Sequence, residues 1–231
     1  MKPLAIITAR GGSKRIPKKN IREFLGKPII AYSIEAALKS QLFDEIMVST
    51  ESEEIASVAR KFGAKVPFMR SKKNADDFAD TTDVLREVLE EYRKRGHHYD
   101  EYCCIYPTAP FVTDKKLKES YELLKRENVF NVVPMVAFSF PPQRGMVLRN
   151  HFMEPIDPES IDKRSQELEQ VYHDCGQFYW GKVKELFQNP NILFNHTMPY
   201  FVSELEMQDI DNEDDWKLAE MKYKYMKDGD I

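Results

Sequence analysis

The feature that most limits what this chain can become is a loop near its start. Ala9-Arg10-Gly11-Gly12-Ser13-Lys14-Arg15-Ile16-Pro17-Lys18-Lys19-Asn20 packs five cations and two glycines into twelve residues, directly after the apolar run Leu4–Thr8. Glycine lets backbone N–H groups turn toward an anion with no Cβ in the way, while Arg and Lys neutralise phosphate charge at different distances along the loop. A basic turn can also be plain solvated surface. The place straight after a first buried strand favours a polyphosphate site, because ligands of open α/β sheets sit beyond the carboxyl ends of the strands. The spacing matches neither the Walker pattern nor G-x-G-x-x-G, which argues against an ATPase or a dehydrogenase.

The rest of the chain supplies the sheet such a loop needs. Strand-like runs at Leu4–Thr8, Glu45–Ser49, Lys65–Met69, Glu101–Tyr106 and Asn131–Val136 alternate with helical patterns at Pro28–Ser40, after Thr50 and Glu53 at capping-box spacing, at Asp83–Arg95, and at Asp114–Glu127 behind Thr113. That alternation predicts an α/β fold with a mainly parallel central sheet. Residues 138–171, with Pro141, Pro142, Pro155 and Pro158, have little periodicity and read as an insertion that leaves the sheet. Beyond it we expect a strand at Gln177–Trp180, a short helix at Lys182–Gln188, a strand near Met198–Val202 and a last helix at Glu213–Met226 capped by Asn212. The 231 residues suit one domain, 1–231, carrying that insertion at about 138–171.

Charge narrows the partners. A net charge of -4 gives no general attraction for nucleic acid or an anionic membrane, so neither is expected as a partner and any phosphate must be held by local groups. The apolar run at the start meets Arg10 too soon for a signal peptide or a membrane helix, which predicts a cytoplasmic setting. Cys103, Cys104 and Cys175 fit no disulfide framework or zinc spacing and read as reduced and mostly buried.

Two further constellations carry chemistry. In Asp209-Ile210-Asp211 the carboxylates alternate, so in an extended segment both project to one face. Magnesium on substrate phosphates takes one or two protein carboxylates, and the pair fits that role; the competing reading is a solvated acidic loop ahead of the last helix. Tyr172–Gly181 mixes polar and aromatic side chains, as a site for a polyhydroxylated carboxylate sugar requires, although the aromatics can equally be core.

The motif A-R-G-G-S-K followed by P-x-K-N resembles the signature of the CMP-sugar synthetases, the cytidylyltransferases that activate sialic acid and related nonulosonic acids, and the resemblance extends over almost the whole chain. It implies a Rossmann-like nucleotidyltransferase whose insertion forms a homodimer contact and closes the partner's sugar site. It implies that Ala9, Arg10, Gly12, Ser13 and Lys19 hold the triphosphate of CTP, that Asn20 meets the ribose, and that Arg70, Ala79 and Thr81 form the base pocket. Arg10 and Lys19 take the catalytic charge-neutralising roles, and Asp209 and Asp211 hold Mg2+.

For the acceptor, the run His173-Asp174-Cys175-Gly176-Gln177-Phe178-Tyr179-Trp180-Gly181 resembles H-D-A-G-Q-F-Y-W-G of the pseudaminic acid branch. Ile105-Tyr106-Pro107-Thr108-Ala109-Pro110 departs from the L-Q-P-T-S-P of the sialic acid branch by losing a sugar-facing glutamine. Tyr106, Thr108, His173, Asp174, Gln177 and Tyr179 are therefore the expected sugar contacts, with a pseudaminate-like acid sugar as acceptor. CMP transfer to N-acetylneuraminate or legionaminate is the alternative, and a nucleotide-binding or interaction protein without turnover is the reading from a different class. The resemblance leaves the general base open between water at the metal and His173.

Overall fold

A computed structural model describes residues 2–75, 80–189 and 196–229. The centre is a seven-stranded sheet. Strand β1 (Leu4–Thr8) lies between β4 (Glu45–Ser49) and β5 (Glu101–Ile105), parallel to both. Beyond β5 comes β10 (Phe178–Lys182), antiparallel to it, then β6 (Asn131–Ala137), then β11 (Thr197–Phe201) parallel to β6. Antiparallel pairing on both sides of β10 leaves β5, β6 and β11 pointing the same way, so β10 is the reversed position in an otherwise parallel array. The buried, near-continuous apolar runs of β1, β5 and β6 are what a sheet covered on both faces demands.

Helices α1 (Ile29–Ser40), α2 (Glu53–Lys61) and α4 (Asp114–Leu124) cover one face through Ile30, Ile34, Ile55, Leu117 and Leu124. On the other face α3 (Thr81–Lys94) and α5 (Val183–Gln188) bury Leu85, Val88, Leu89, Tyr92 and Leu186. A third cluster lies at the loop end of the sheet, where α6 (Glu213–Lys227) sets Trp216 and Ala219 against Ile16, Phe24, Ile29, Phe111 and Ile210. Edge-on aromatic pairs of Phe24 with Tyr32 and Trp216 hold it together, with ring centroids 5.4 and 5.6 Å apart.

Several boundaries differ from those read in the sequence. Lys65–Met69 forms a single parallel bridge, Met47 to Lys65, instead of a strand; Pro67 has no N–H to extend the ladder. Helix α2 is capped by Ser52, whose Oγ accepts from Ile55 N–H, while Thr50 Oγ1 accepts from Ser52 N–H one step earlier. Helix α3 begins at Thr81 because Asp80 caps it through Asp83 N–H, and α4 stops at Leu124 instead of Glu127. Two short strands escaped the sequence pattern, β2 (Glu23–Phe24) and β3 (Lys27–Pro28), joined through Leu25 and Gly26, both at positive φ.

Residues 138–171 hold the antiparallel hairpin of β7 (Met146–Arg149) and β8 (Phe152–Pro155), which pairs with nothing else in the sheet. The chain then returns as β9 (Tyr172–Asp174), antiparallel to β6. Strands β9 and β10 therefore follow one another beside β6, interrupted at Cys175-Gly176-Gln177. All three cysteines are free and buried. Among the described residues no helix is long and apolar enough to cross a membrane.

Candidate active site

The loop after β1 is built on buried anchors. Ile16 sinks into the third cluster, Asn20 is buried with its Nδ2 donating to the Arg10 carbonyl at 2.8 Å, and Lys18 turns the chain at φ 53. These fix the backbone and leave the basic side chains to face a cavity of about 600 Å³. Arg10, Ser13, Lys14, Arg15, Lys19 and Asn20 form one side of it; Arg70, Thr81, Tyr106, Thr108 and Asp211 form the other. The two glycines serve differently. A Cβ on Gly11 would press within 3.2 Å of Glu51 and Ser52, whereas one on Gly12 would meet only open space. Ala9 is buried and its N–H is spent on the Ser49 carbonyl, so it contributes as scaffold.

Lys19 is the most constrained cation of the loop. Its Nζ donates to the Ile210 carbonyl at 2.7 Å and lies 3.9 Å from the Asp211 carboxylate. Burial pulls its pKa down, and Asp211 and Asp209 pull the other way. The acidic segment itself obeys the alternation: Ile210 is buried in the third cluster and the flanking aspartates turn outward. Burial, and then Asp211, push the Asp209 carboxyl pKa up, the signature of negative charge held close together. The segment is fixed behind by Asp215, which accepts from Asp211 N–H and Asn212 N–H, and by the Asn212 cap of α6.

At the base end, Arg70 is buried and clamped, with Nε on Ser49 Oγ at 3.0 Å and Nη2 on the Ser49 carbonyl at 2.6 Å. Burial lowers its pKa and the Glu51 and Glu87 carboxylates oppose that. Ala79, expected beside it, falls outside the described residues; Thr81 opens α3 at the cavity wall. Glu51 was not singled out by the sequence, yet its Oε1 accepts the Gly11 N–H at 2.5 Å. Nothing in the local pattern marks it, since it reads as one of several acids around a helix start.

The acceptor residues divide. Tyr106 and Thr108 line the main cavity. Tyr179 packs against Tyr106 with ring centroids 5.1 Å apart, and its hydroxyl donates to Asp174 Oδ2 at 2.5 Å. His173 and Gln177 stand elsewhere. The His173 ring rests on Phe138 at 4.6 Å, outside both cavities of this end. Gln177 is only 2% exposed and donates to the Glu206 carbonyl at 2.8 Å, while its own carbonyl receives the Tyr106 N–H. It holds the wall from behind. The break in the strand matters here too: Gly176 at φ 60 returns the chain beside Asp209, which a Cβ would approach to 3.8 Å, so the acceptor strand and the acid pair meet.

A mainly parallel α/β sheet with a cation-rich glycine loop at its first strand, a buried arginine across the cavity and a carboxylate pair beneath defines a nucleotidyltransferase fold. The chain belongs to the cytidylyltransferase family, whose model matches residues 4–203. It is 42% identical to the pseudaminic acid cytidylyltransferase of Campylobacter jejuni, over 97% of each chain. It is 33% identical to the CMP-N,N'-diacetyllegionaminic acid synthase of Legionella pneumophila, over 95% of each. The solved CMP:2-keto-3-deoxy-manno-octonic acid synthetase complexed with CTP shares the fold, with a TM-score of 0.69 at 19% identity over 99% of this chain and 100% of that one. The family expected from the loop is thus the family found.

Proposed function

We propose that this protein transfers CMP from CTP to the anomeric hydroxyl of a nonulosonic acid, pseudaminic acid first among them, with release of pyrophosphate. The observation that carries this reading is the meeting of Arg10, Lys19, Arg70 and Asp211 with Tyr106 and Thr108 around one cavity. The likeness to the Campylobacter jejuni enzyme supports the choice of sugar.

In the reaction the sugar oxygen forms a bond to the α-phosphorus as the bond to the pyrophosphate oxygen breaks. Alignment and charge neutralisation dominate such transfers. Arg10, Lys14 and Arg15 lie along the polyphosphate side of the cavity, and Lys19, already anchored on the Ile210 carbonyl, meets the developing charge without reorganising. Arg70, held by Ser49, presents its remaining donors to the base, and Asn20 lies where a ribose follows the loop.

The acid pair fits a magnesium ion: its crowded carboxylates carry charge that a divalent cation relieves, and the Arg15–Asp211 ion pair between half-exposed side chains costs little to exchange. Asp209 and Asp211 would hold Mg2+, which when bound neutralises and orients the phosphates. His173, set against Phe138, is not proposed as the base. The β7–β8 hairpin exposes Leu148 and Phe152, 69% and 73% accessible, with Met153 and Ile156. We take this face as the contact of a homodimer, in a cytoplasmic setting.

The test is pyrophosphate release from CTP, UTP and ATP with pseudaminate, legionaminate and N-acetylneuraminate. CTP with pseudaminate is expected to be fastest. Neuraminate turned over as fast as pseudaminate would overturn the sugar, and equal rates with the three nucleotides would overturn the base assignment.

A further inference from the structure

A second cavity of about 250 Å³ adjoins the first, sharing Asp80, Thr81 and Tyr106 with it. It lies on the α3 face of the sheet, where Tyr102, Tyr106, Tyr179 and Leu85 give it aromatic and aliphatic walls and Asp174 and Asn131 line its polar part. The space follows from the sequence of β10. Gly181 places no side chain in this layer, and the Tyr102 ring leans into the gap that a Cβ would fill. Tyr106 is the partition between the cavities. Its backbone is fixed by Gln177 and Ser33, but its hydroxyl sits 3.4 Å from Thr81 Oγ1, at the outer limit of a hydrogen bond.

We propose that this cavity is a subsite for one acylamino substituent of the acceptor, a deepening that rests on the acid-sugar reading above. An acylamino group has an N–H donor at one end and an apolar methyl at the other, and the cavity has the matching order. The Asp174 carboxylate stands beside Tyr179, engaged at Oδ1 by Gly176 N–H and at Oδ2 by the Tyr179 hydroxyl. Each oxygen keeps a further lone pair for an amide N–H. Leu85, Tyr102 and the faces of Tyr106 and Tyr179 receive the methyl. A water takes about 30 Å³ of liquid, so an acetamido group a few times larger leaves room to spare and the subsite accommodates a longer acyl chain.

The experiment measures CMP-sugar formation for nonulosonic acids carrying acetyl, propanoyl or butanoyl at each amino position in turn. The enzymes are wild type, Thr82→Leu and Leu85→Ala. Thr82 and Leu85 are three residues apart on α3 and both line the cavity, so the first variant fills it from the helix start and the second enlarges it. At one amino position the wild type should keep kcat/KM within about threefold from acetyl to propanoyl. Thr82→Leu should lose roughly tenfold for propanoyl relative to acetyl, the discrimination one methylene carries in an apolar pocket. Leu85→Ala should extend tolerance to butanoyl, and KM for CTP should stay unchanged in both variants. Identical chain-length profiles in the three enzymes, with acetylated sugars still turned over, would overturn the subsite and leave the acid-sugar reading standing. No turnover of any acid sugar by the wild type would overturn both.

Discussion

The nucleotide end and the acceptor end of the cavity are built in different ways. At the nucleotide end every chemical group rests on a buried neighbour: Asn20 on the Arg10 carbonyl, Lys19 on Ile210, Arg70 on Ser49, the acid pair on Ile210 and the α6 cap. At the acceptor end the wall is a strand broken at Gly176, continued outward by a hairpin whose Leu148 and Phe152 face solvent. One end is finished within a single chain, and the other presents apolar surface that a second surface must cover. Charge chemistry, which tolerates little displacement, has been given the rigid half. Recognition of a variable sugar has been given the half that a neighbour can reshape.

Four measurements break or sharpen that contrast. The largest effect should come from Asp209→Asn with Asp211→Asn. Turnover should fall by roughly 10³-fold or more, the several kcal/mol that a metal ion supplies to charge stabilisation, with an unaltered thermal transition; full activity in that variant or in EDTA would take the pair out of the metal role. Next, Arg70→Met should raise KM for CTP by roughly 10- to 100-fold, the scale of a lost hydrogen bond to a charged group, and erode the preference over UTP while leaving the acceptor KM in place. Third, Leu148→Asp with Phe152→Glu should weaken self-association by roughly 30-fold or more, about 2 kcal/mol for central apolar contacts. Sedentation of that variant as a monomer should accompany a rise in acceptor KM larger than the rise for CTP; a wild-type monomer with full activity at micromolar concentration would end the contrast. The smallest effect belongs to Ser52→Ala. Loss of the α2 cap should cost about 1 kcal/mol and lower Tm by about 2–4 °C, with kcat unchanged.

What the sequence disclosed follows the same division. The phosphate loop and the acid pair were legible because their signals are local: glycines and cations straight after a strand, and carboxylates either side of one apolar residue that the core takes in. The alternating helices and strands were legible from periodicity, and Asn212 and Thr113 cap where expected. His173 and Gln177 resisted because a strand alternates its faces, and the break at Gly176 resets which face is which; no spacing rule announces such a break. Gln177 is polar and buried because a carbonyl 29 residues later in the chain needs its N–H, a partner invisible to any local window. Glu51 was missed for a related reason: its worth lies in a single amide 40 residues earlier. The strand expected at Lys65–Met69 shrank to one bridge because Pro67 outweighed the apolar pattern around it.

The third cluster also bears on how the protein is made. Ile16 beneath the phosphate loop packs against Ile210 and Trp216, close to two hundred residues further along the chain. A ribosome releases the loop long before the segment that supports it, and N-terminal parts begin to fold during synthesis. Strands β1, β4 and β5 can therefore assemble on the nascent chain while the loop above them still lacks its floor and Lys19 its carbonyl partner. Competence to gather phosphate arrives only when α6 docks, so an unfinished chain holds its cations loosely, and the order of translation itself keeps a half-made molecule from acting on nucleotide.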